Sequence, residues 1–152
     1  MNDLPIRIPD EADWAGCETN IEASYAHRLL LGKSLEEVMY LFRDTAIERA
    51  IELRCVPRPI FQYYVFVFVQ LFASPGESAE QADCASVFLR LLWDRERDDP
   101  GSVSQIYADL RDTVDHVANN QAFFDADVDI YGDFRDLAAE LEALCEAPHA
   151  RP

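Results

Sequence analysis

A thirteen-residue apolar run, residues 60–72 (IFQYYVFVFVQLF), constrains the fold of this 152-residue chain more than any other segment. It is too short to cross a bilayer, which requires about 20 residues. Its aromatic and β-branched side chains would suit a buried strand, but no neighbouring segment has the pattern of a strand partner. Pro59 stands where a helix would have its first residue. Because a helix that is apolar on nearly every side belongs at the centre of a domain, the run predicts a central core helix.

Upstream of the core run, apolar side chains at three- and four-residue steps predict two amphipathic helices. The apolar residues of the first are Ile21, Tyr25 and Leu29. Gly32 ends this helix, and a capping box begins the next, in which the Ser34 side chain accepts from the Glu37 amide while Glu37 reaches back. The apolar face of the second helix continues to Leu53, so we predict one long helix that stops near Cys55.

Downstream of the core run, two more helices have clear boundaries. The segment Ser74-Pro75-Gly76-Glu77 is a start signal, with proline in the first helical position and glutamate in the third. The stripe of the helix that follows contains Cys84, Val87, Phe88, Leu91 and Leu92. This apolar stripe ends in the charged segment 94–99. Asp99-Pro100-Gly101 then predicts the end of this helix and the beginning of another. That helix has the most regular period in the sequence, at Val103, Ile106, Tyr107, Leu110, Val114 and Val117.

The last helix and the chain ends complete the predicted domain. Asn119 and Asn120 can end the regular helix, because asparagine tolerates the left-handed cap conformation. The final helix has on one side Phe134, Leu137, Ala138, Leu141, Leu144 and Cys145. With no internal repeat and no linker, we predict a single all-α domain of about six helices over residues 14–147. Residues 1–13 are expected to be extended or frayed, and residues 148–152 to form a C-terminal tail.

Charge is distributed unevenly along the chain. Residues 77–152 carry eighteen acidic side chains and six arginines, a net charge of −12, whereas the whole chain carries −16. A field of one sign attracts cationic surfaces and repels anionic ones. We therefore expect a basic protein partner, and we expect neither nucleic acid nor a membrane surface to bind. The hydrophobic content of 49% supplies a core, so the acidity does not imply disorder.

The amino-terminal sequence and the cysteines bear on the compartment. The start MNDLP has neither the cationic nor the apolar region of a secretory signal, so a cytoplasmic protein is expected. The four cysteines include no CxxC pair, and we expect them to remain thiols in that compartment. Cys84 and Cys145 also fall on apolar helical stripes, where cysteine behaves as a small hydrophobic residue.

An aspartate-rich segment, residues 125–136, is the first candidate for chemistry. Carboxylates occupy positions 1, 3, 5, 9 and 12 of a twelve-residue loop, as Asp125, Asp127, Asp129, Asp133 and Asp136. Calcium requires oxygen ligands at alternate positions, and the segment partly resembles an EF-hand loop. It departs from that pattern at Ile130, where glycine makes the sharp turn, at Gly132, and in ending on Asp rather than Glu. These departures favour an acidic connecting loop in which Asp129 or Asp133 caps the final helix.

A second candidate lies on the polar side of the most regular helix. It consists of Asp109, Asp112, Asp115 and His116. Asp112 and His116 are four residues apart, so they share a face on which a divalent metal can be held. The motif is neither HExxH nor ExxH, which favours a solvated helix face over a metal site.

Cys55 is the third candidate, because Arg54 and Arg58 lie close in sequence and cations can lower a thiol pKa. No histidine is near it in sequence, so a buried or incidental thiol is the favoured interpretation. Phosphate-binding glycine loops, GxSxG elbows and dinucleotide fingerprints are absent from the sequence. We therefore assign no catalytic residue and expect no cofactor.

Together these patterns favour a non-enzymatic protein-interaction domain. Small acidic helical proteins of bacteria are often immunity proteins or antitoxins, or chaperones, that bind a basic protein. The residues assigned to partner binding are Asp109, Asp112, Asp115, Asp125, Asp127 and Asp129. The alternative is a small helical metal-binding protein or enzyme that uses the aspartates of residues 109–136. The sequence does not determine the oligomeric state, and a homodimer remains an option.

Overall fold

The computed structural model describes residues 7–73 and 81–147, and this part of the chain is all-α, as predicted. Two short 3-10 helices, Glu11–Trp14 and Cys17–Thr19, precede the α helices. The α helices are α1 (Ile21–Leu30), α2 (Leu35–Asp44), α3 (Ala46–Cys55), α4 (Arg58–Tyr64), α5 (Phe66–Ala73), α6 (Gln81–Asp98), α7 (Tyr107–Ala118), α8 (Val128–Tyr131) and α9 (Phe134–Glu146). Among these described helices, none combines the length and the apolar character needed to cross a membrane.

The described residues form more helices than the six predicted, mainly because two predicted helices are each divided. Two predictions cannot be compared with the structure, since they concern residues outside the described ranges. They are the helix start signal at residues 74–77 and the tail at residues 148–152.

The core run lies at the centre of the hydrophobic core, as α4 and α5. The prediction of burial is confirmed, since no more than 1% of the side-chain surface is exposed at Phe61, Tyr64, Phe66 and Phe68. Pro59 occupies the second position of α4, one residue from the predicted place. The run is divided rather than continuous, because the Phe68 amide donates to the Val65 carbonyl only three residues back, at 3.1 Å.

The prediction of one continuous helix over residues 35–55 is wrong, because this range forms two helices, α2 and α3. Its capping box is present, with the Ser34 amide 2.8 Å from Glu37 Oε1 and the Glu37 amide 3.2 Å from Ser34 Oγ. The helix breaks at Thr45, whose φ of −138° is not helical. The hydroxyl of Thr45 donates to the Leu41 carbonyl at 2.6 Å, and this local bond competes with the helical ladder. The apolar periodicity continues across the break because α2 and α3 both pack on the core.

The apolar face predicted for α1 is wrong at Ile21 and Tyr25, whereas Leu29 packs against the core as predicted. Ile21 is 86% exposed and Tyr25 is exposed, whereas the buried residues of the helix are Ala23, Ala26 and Leu30. Helix α1 packs directly against α3, which buries Ala46 and Ala50. Small side chains let two helices approach closely, so the larger side chains of α1 are left on the outer surface.

The described part of the amino-terminal segment differs from the extended chain predicted over residues 1–13. Asp10 begins the first 3-10 helix, and its carboxylate accepts from the amides of Ala12 (3.0 Å) and Asp13 (3.3 Å). Trp14 at the end of this helix is buried and meets the His27 ring edge-on, with 5.2 Å between the ring centroids. This contact holds the 3-10 helix against α1.

The carboxyl end of α6 is buried, although its charged segment, residues 94–99, predicted that the buried stripe ends before it. Glu96 is 1% exposed, and its carboxylate accepts from the backbone amides of Gly101 (3.0 Å), Val103 (2.8 Å) and Ser104 (3.0 Å). These amides belong to the turn that leads into α7, and the carboxylate supplies the partners that water would otherwise provide. Glu96 therefore fixes the position at which α7 begins.

Arg95 binds backbone groups at the end of α3, as Glu96 binds those of the turn before α7. Its Nη1 donates to the carbonyls of Leu53 (3.1 Å), Arg54 (3.0 Å) and Val56 (2.8 Å). These groups lie at the carboxyl end of α3, where helical carbonyls lack an intrahelical partner. The guanidinium also stacks over the Phe61 ring, 5.0 Å from its centroid. One buried turn of α6 thus ties α3, α4 and the start of α7 together.

Helix α7 ends at Ala118, next to the predicted stop at Asn119 and Asn120. The predicted left-handed cap is wrong, because Asn119 has a φ of −91°. The Asn120 side chain satisfies the helix end instead, since its Nδ2 donates to the His116 carbonyl at 2.7 Å. The helix therefore ends where the sequence predicted, but a side-chain hydrogen bond rather than a left-handed backbone satisfies its last turn.

Candidate functional site

One glutamine organises the connection between α7 and α9, which contains the aspartate-rich segment. Gln121 Nε2 donates to the carbonyls of Ala126 (3.0 Å) and Gly132 (2.7 Å), and Oε1 accepts from the Phe134 amide (2.9 Å). Phe124 is buried within the same connection. The connection therefore has a defined conformation that presents its outer side chains in fixed positions. The sequence analysis missed Gln121, and no motif marks it.

The segment that resembles an EF-hand loop does not have the shape of one. Residues 128–131 form the short helix α8, and the Asp127 carboxylate caps it by accepting from the Asp129 amide at 2.8 Å. Asp133 caps α9 by accepting from the Arg135 amide at 2.9 Å. Among the described residues, no three His, Cys, Asp or Glu side chains come together as ligands for a metal ion. Two of the aspartates are thus occupied as helix caps.

We expect calcium at millimolar concentration to raise the melting temperature of the protein by less than about 3 °C, because an ion with no built site stabilises weakly. Circular dichroism melts with and without calcium measure this shift, and magnesium serves as the control for general screening. Calorimetry that found stoichiometric, micromolar calcium binding, lost in Asp125→Ala, would contradict the expectation and support the metal-binding alternative.

The polar face of α7 lies as predicted on the outside of the helix. Asp112, Asp115 and His116 are exposed, and Asp109 is half-buried. Asp112 and His116 line the rim of a groove of about 330 Å³ whose apolar side includes Val69 and Phe72. The carboxylates of Asp112 and Asp115 are open to solvent rather than enclosed in a cavity.

Apolar side chains interleave with the aspartates in the connection between α7 and α9. Phe123 is 56% exposed, Ile130 is 73% exposed and Val128 is also exposed. We define the acidic–apolar surface by its exposed residues, which are Phe123, Asp125, Asp127, Val128, Asp129 and Ile130. Phe123 and Val128 also line a groove of about 420 Å³. The sequence analysis identified the aspartates and missed the apolar residues, although Val128 and Ile130 belong to no predicted helical face.

Cys55 is half-buried and interacts electrostatically with the buried guanidinium of Arg95. The two arginines near Cys55 in sequence are engaged by carboxylates, with Arg54 Nε 3.5 Å from Asp94 Oδ2 and Arg58 Nη2 2.6 Å from Asp99 Oδ1. Their charge is therefore largely compensated. Burial raises the pKa of the Cys145 thiol to about 12, so that sulfur stays protonated at neutral pH. All four cysteines are free thiols.

Comparisons with known proteins found no match to this chain among protein-family models, curated proteins or solved structures. The acidic–apolar surface and the negative charge of the second half of the chain are the features that bear on function.

Proposed function

We propose that this protein is a non-enzymatic interaction domain of the cytoplasm that binds a basic protein through the acidic–apolar surface and the adjoining face of α7. An immunity protein, an antitoxin or a chaperone-like protein is the concrete form of this proposal. The observation that carries it is the alternation of exposed aspartates with exposed apolar side chains over residues 123–130.

The chemistry of this surface selects the kind of partner. Apolar side chains that stay exposed together in a soluble protein mark interaction sites, because their contact with water is unfavourable. Aromatic and aliphatic side chains supply most of the affinity of an interface, while the charges around them guide the encounter. Carboxylates at Asp125, Asp127 and Asp129 favour lysines and arginines that flank an apolar side chain on the partner.

We expect association with the partner to be fast at low ionic strength and to slow steeply as salt is added, because the attraction is screened. The triple variant Asp112→Lys, Asp115→Lys and Asp129→Lys should lower the on-rate by about tenfold or more at low salt. Its melting temperature should be unchanged or slightly higher, because these carboxylates repel one another in the free domain. None of the three replaced residues caps a helix.

The experiment is a pull-down from the source organism followed by binding kinetics on the captured protein over a range of salt. The matched control is Glu18→Lys, Glu36→Lys and Asp44→Lys, which changes the net charge equally at exposed positions in the first half. Phe123→Ser should mainly raise the off-rate, because it removes apolar contact rather than charge. If the triple variant retained the same partners with the same on-rate as the control, the acidic face would serve solubility alone and the proposal would fail.

A further inference from the structure

Two packed helices carry the same exposed four-residue pattern, twenty-six positions apart in the chain. In α1 the pattern is Ile21, Glu22, Tyr25 and Arg28, and in α3 it is Ile47, Glu48, Ile51 and Arg54. All eight side chains are exposed. We call these eight residues the α1–α3 face. Each helix thus presents an acidic residue near its amino end, a basic residue near its carboxyl end, and apolar residues between and beside them.

The two rows lie on neighbouring helices, because α1 and α3 pack against each other. Burial raises the pKa of the Glu52 carboxyl on α3, the paired Arg49 lowers it, and the negative charge of Glu22 on α1 adds to the rise. The exposed row of α1 therefore runs close beside α3.

The charge of this face differs from that of the acidic–apolar surface. It holds two glutamates and two arginines, so its own net charge is zero, and it lies in the half of the chain with the smaller negative charge. Such a face does not select a cationic or an anionic partner. A row with an acidic residue at one end and a basic residue at the other is, however, complementary to a copy of itself that runs in the opposite direction.

The order of the residues also fits a two-fold axis. Tyr25 lies midway between Glu22 and Arg28, so an antiparallel copy of α1 that crosses at Tyr25 places Glu22 opposite Arg28 of the second copy. We propose that the α1–α3 face binds a second copy of this chain, in an antiparallel two-fold dimer whose axis passes beside Tyr25, with the exposed row of α3 at the edge of the contact. Arg54 already contacts Asp94 at 3.5 Å, so the ion pairs across the dimer are assigned to Glu22 and Arg28.

This dimer uses a different surface from the partner-binding proposal and does not depend on it. Eight side chains make a small interface, so we expect a reversible dimer with a dissociation constant of about 1 µM or weaker. Sedimentation velocity on the full chain, from low micromolar to several hundred micromolar, should show a monomer–dimer equilibrium. A single monomeric species over that range would overturn the proposal.

Two sets of variants locate the interface and its geometry. Tyr25→Glu should weaken the dimer at least about tenfold, because it places a charge at the centre of the apolar contact. Tyr40→Glu makes the same change at an exposed tyrosine outside the α1–α3 face and should leave the dimer intact. Equal weakening by both variants, or by neither, would place the contact elsewhere and overturn the proposal. Circular dichroism melts should show that each variant remains folded.

A charge swap tests the antiparallel register. Glu22→Arg alone places two arginines opposite each other and should weaken the dimer at low salt. The double variant Glu22→Arg/Arg28→Glu restores an opposite pair and should recover most of the wild-type affinity. A dimer that the single change leaves unaltered, or that the double change fails to rescue, contradicts the proposed arrangement.

Discussion

Replacing Glu96 with alanine should lower the free energy of unfolding by about 3–5 kcal/mol, because three backbone amides lose the buried carboxylate to which they donate and each stranded group costs about 1–3 kcal/mol. The amides are those of Gly101, Val103 and Ser104, all within 3.0 Å of a Glu96 oxygen. The turn they form precedes α7, so the loss should also disorder the start of that helix. Urea unfolding followed by far-UV circular dichroism measures the change.

The side chains around Glu96 supply matched controls for this prediction. Glu96→Gln keeps one carbonyl oxygen and should cost about half as much, since Oε1 alone accepts from two of the three amides. Glu140→Ala removes an exposed carboxylate from α9 and should change stability by no more than about 0.5 kcal/mol. A Glu96→Ala variant as stable as the Glu140→Ala variant would mean that the buried hydrogen bonds do not hold the turn.

Truncating Phe68 or Phe66 to alanine should cost about 3–5 kcal/mol, because each change removes a fully buried ring and leaves a cavity that a packed core fills poorly. Phe68 lies at the centre of an aromatic cluster, with its ring centroid 5.4 Å from Phe42 and 5.5 Å from Phe88. These contacts join α2, α5 and α6. The same urea unfolding experiment gives the free-energy change.

Phe123→Ala is the control for the two core phenylalanines, because it removes the same group from an exposed position. It should cost less than about 1 kcal/mol. If Phe68→Ala cost as little as Phe123→Ala, residues 66–73 would not form the core of the domain, and the apolar run would have to be covered by another molecule.

The burial of Phe66 and Phe68 can be predicted from the sequence, whereas the burial of Glu96 cannot. The apolar run that contains Phe66 and Phe68 predicts its own burial, because no exposed arrangement of so many aromatic residues is stable in water. Nothing in the sequence marks Glu96, which stands in a charged segment between Arg95 and Arg97. Its burial is favourable only because three backbone amides from residues five to eight positions away arrive at its carboxylate.

The same distinction applies to the candidate functional site, because its charges could be predicted from the sequence and its exposed apolar residues could not. The aspartates of residues 109–129 and the asymmetry of charge are properties of the sequence, and they suffice to predict the sign of a partner. The exposure of Phe123, Val128 and Ile130 depends on the conformation of the connection that Gln121 holds. The sequence analysis therefore predicted the charged half of the acidic–apolar surface and not its apolar half.

Features that depend on residues close together in the chain could be predicted before the fold was known. These include the capping box at Ser34 and Glu37, the start of α4 beside Pro59, and the spacing of Leu110, Val114 and Val117 within α7. Each arises from hydrogen bonds or steric limits between close neighbours, which are the same in any fold.

Which helix face is buried, and which charged side chains lie in the interior, depends instead on contacts between distant parts of the chain. Helix α1 turns Ile21 outward because close packing on α3 favours its alanines, and Arg95 is buried because carbonyls at the end of α3, about forty residues earlier, supply its acceptors. Local periodicity carries no information about a partner surface that arrives from a distant part of the chain. The balance between desolvation and hydrogen bonding is therefore set by the fold as a whole.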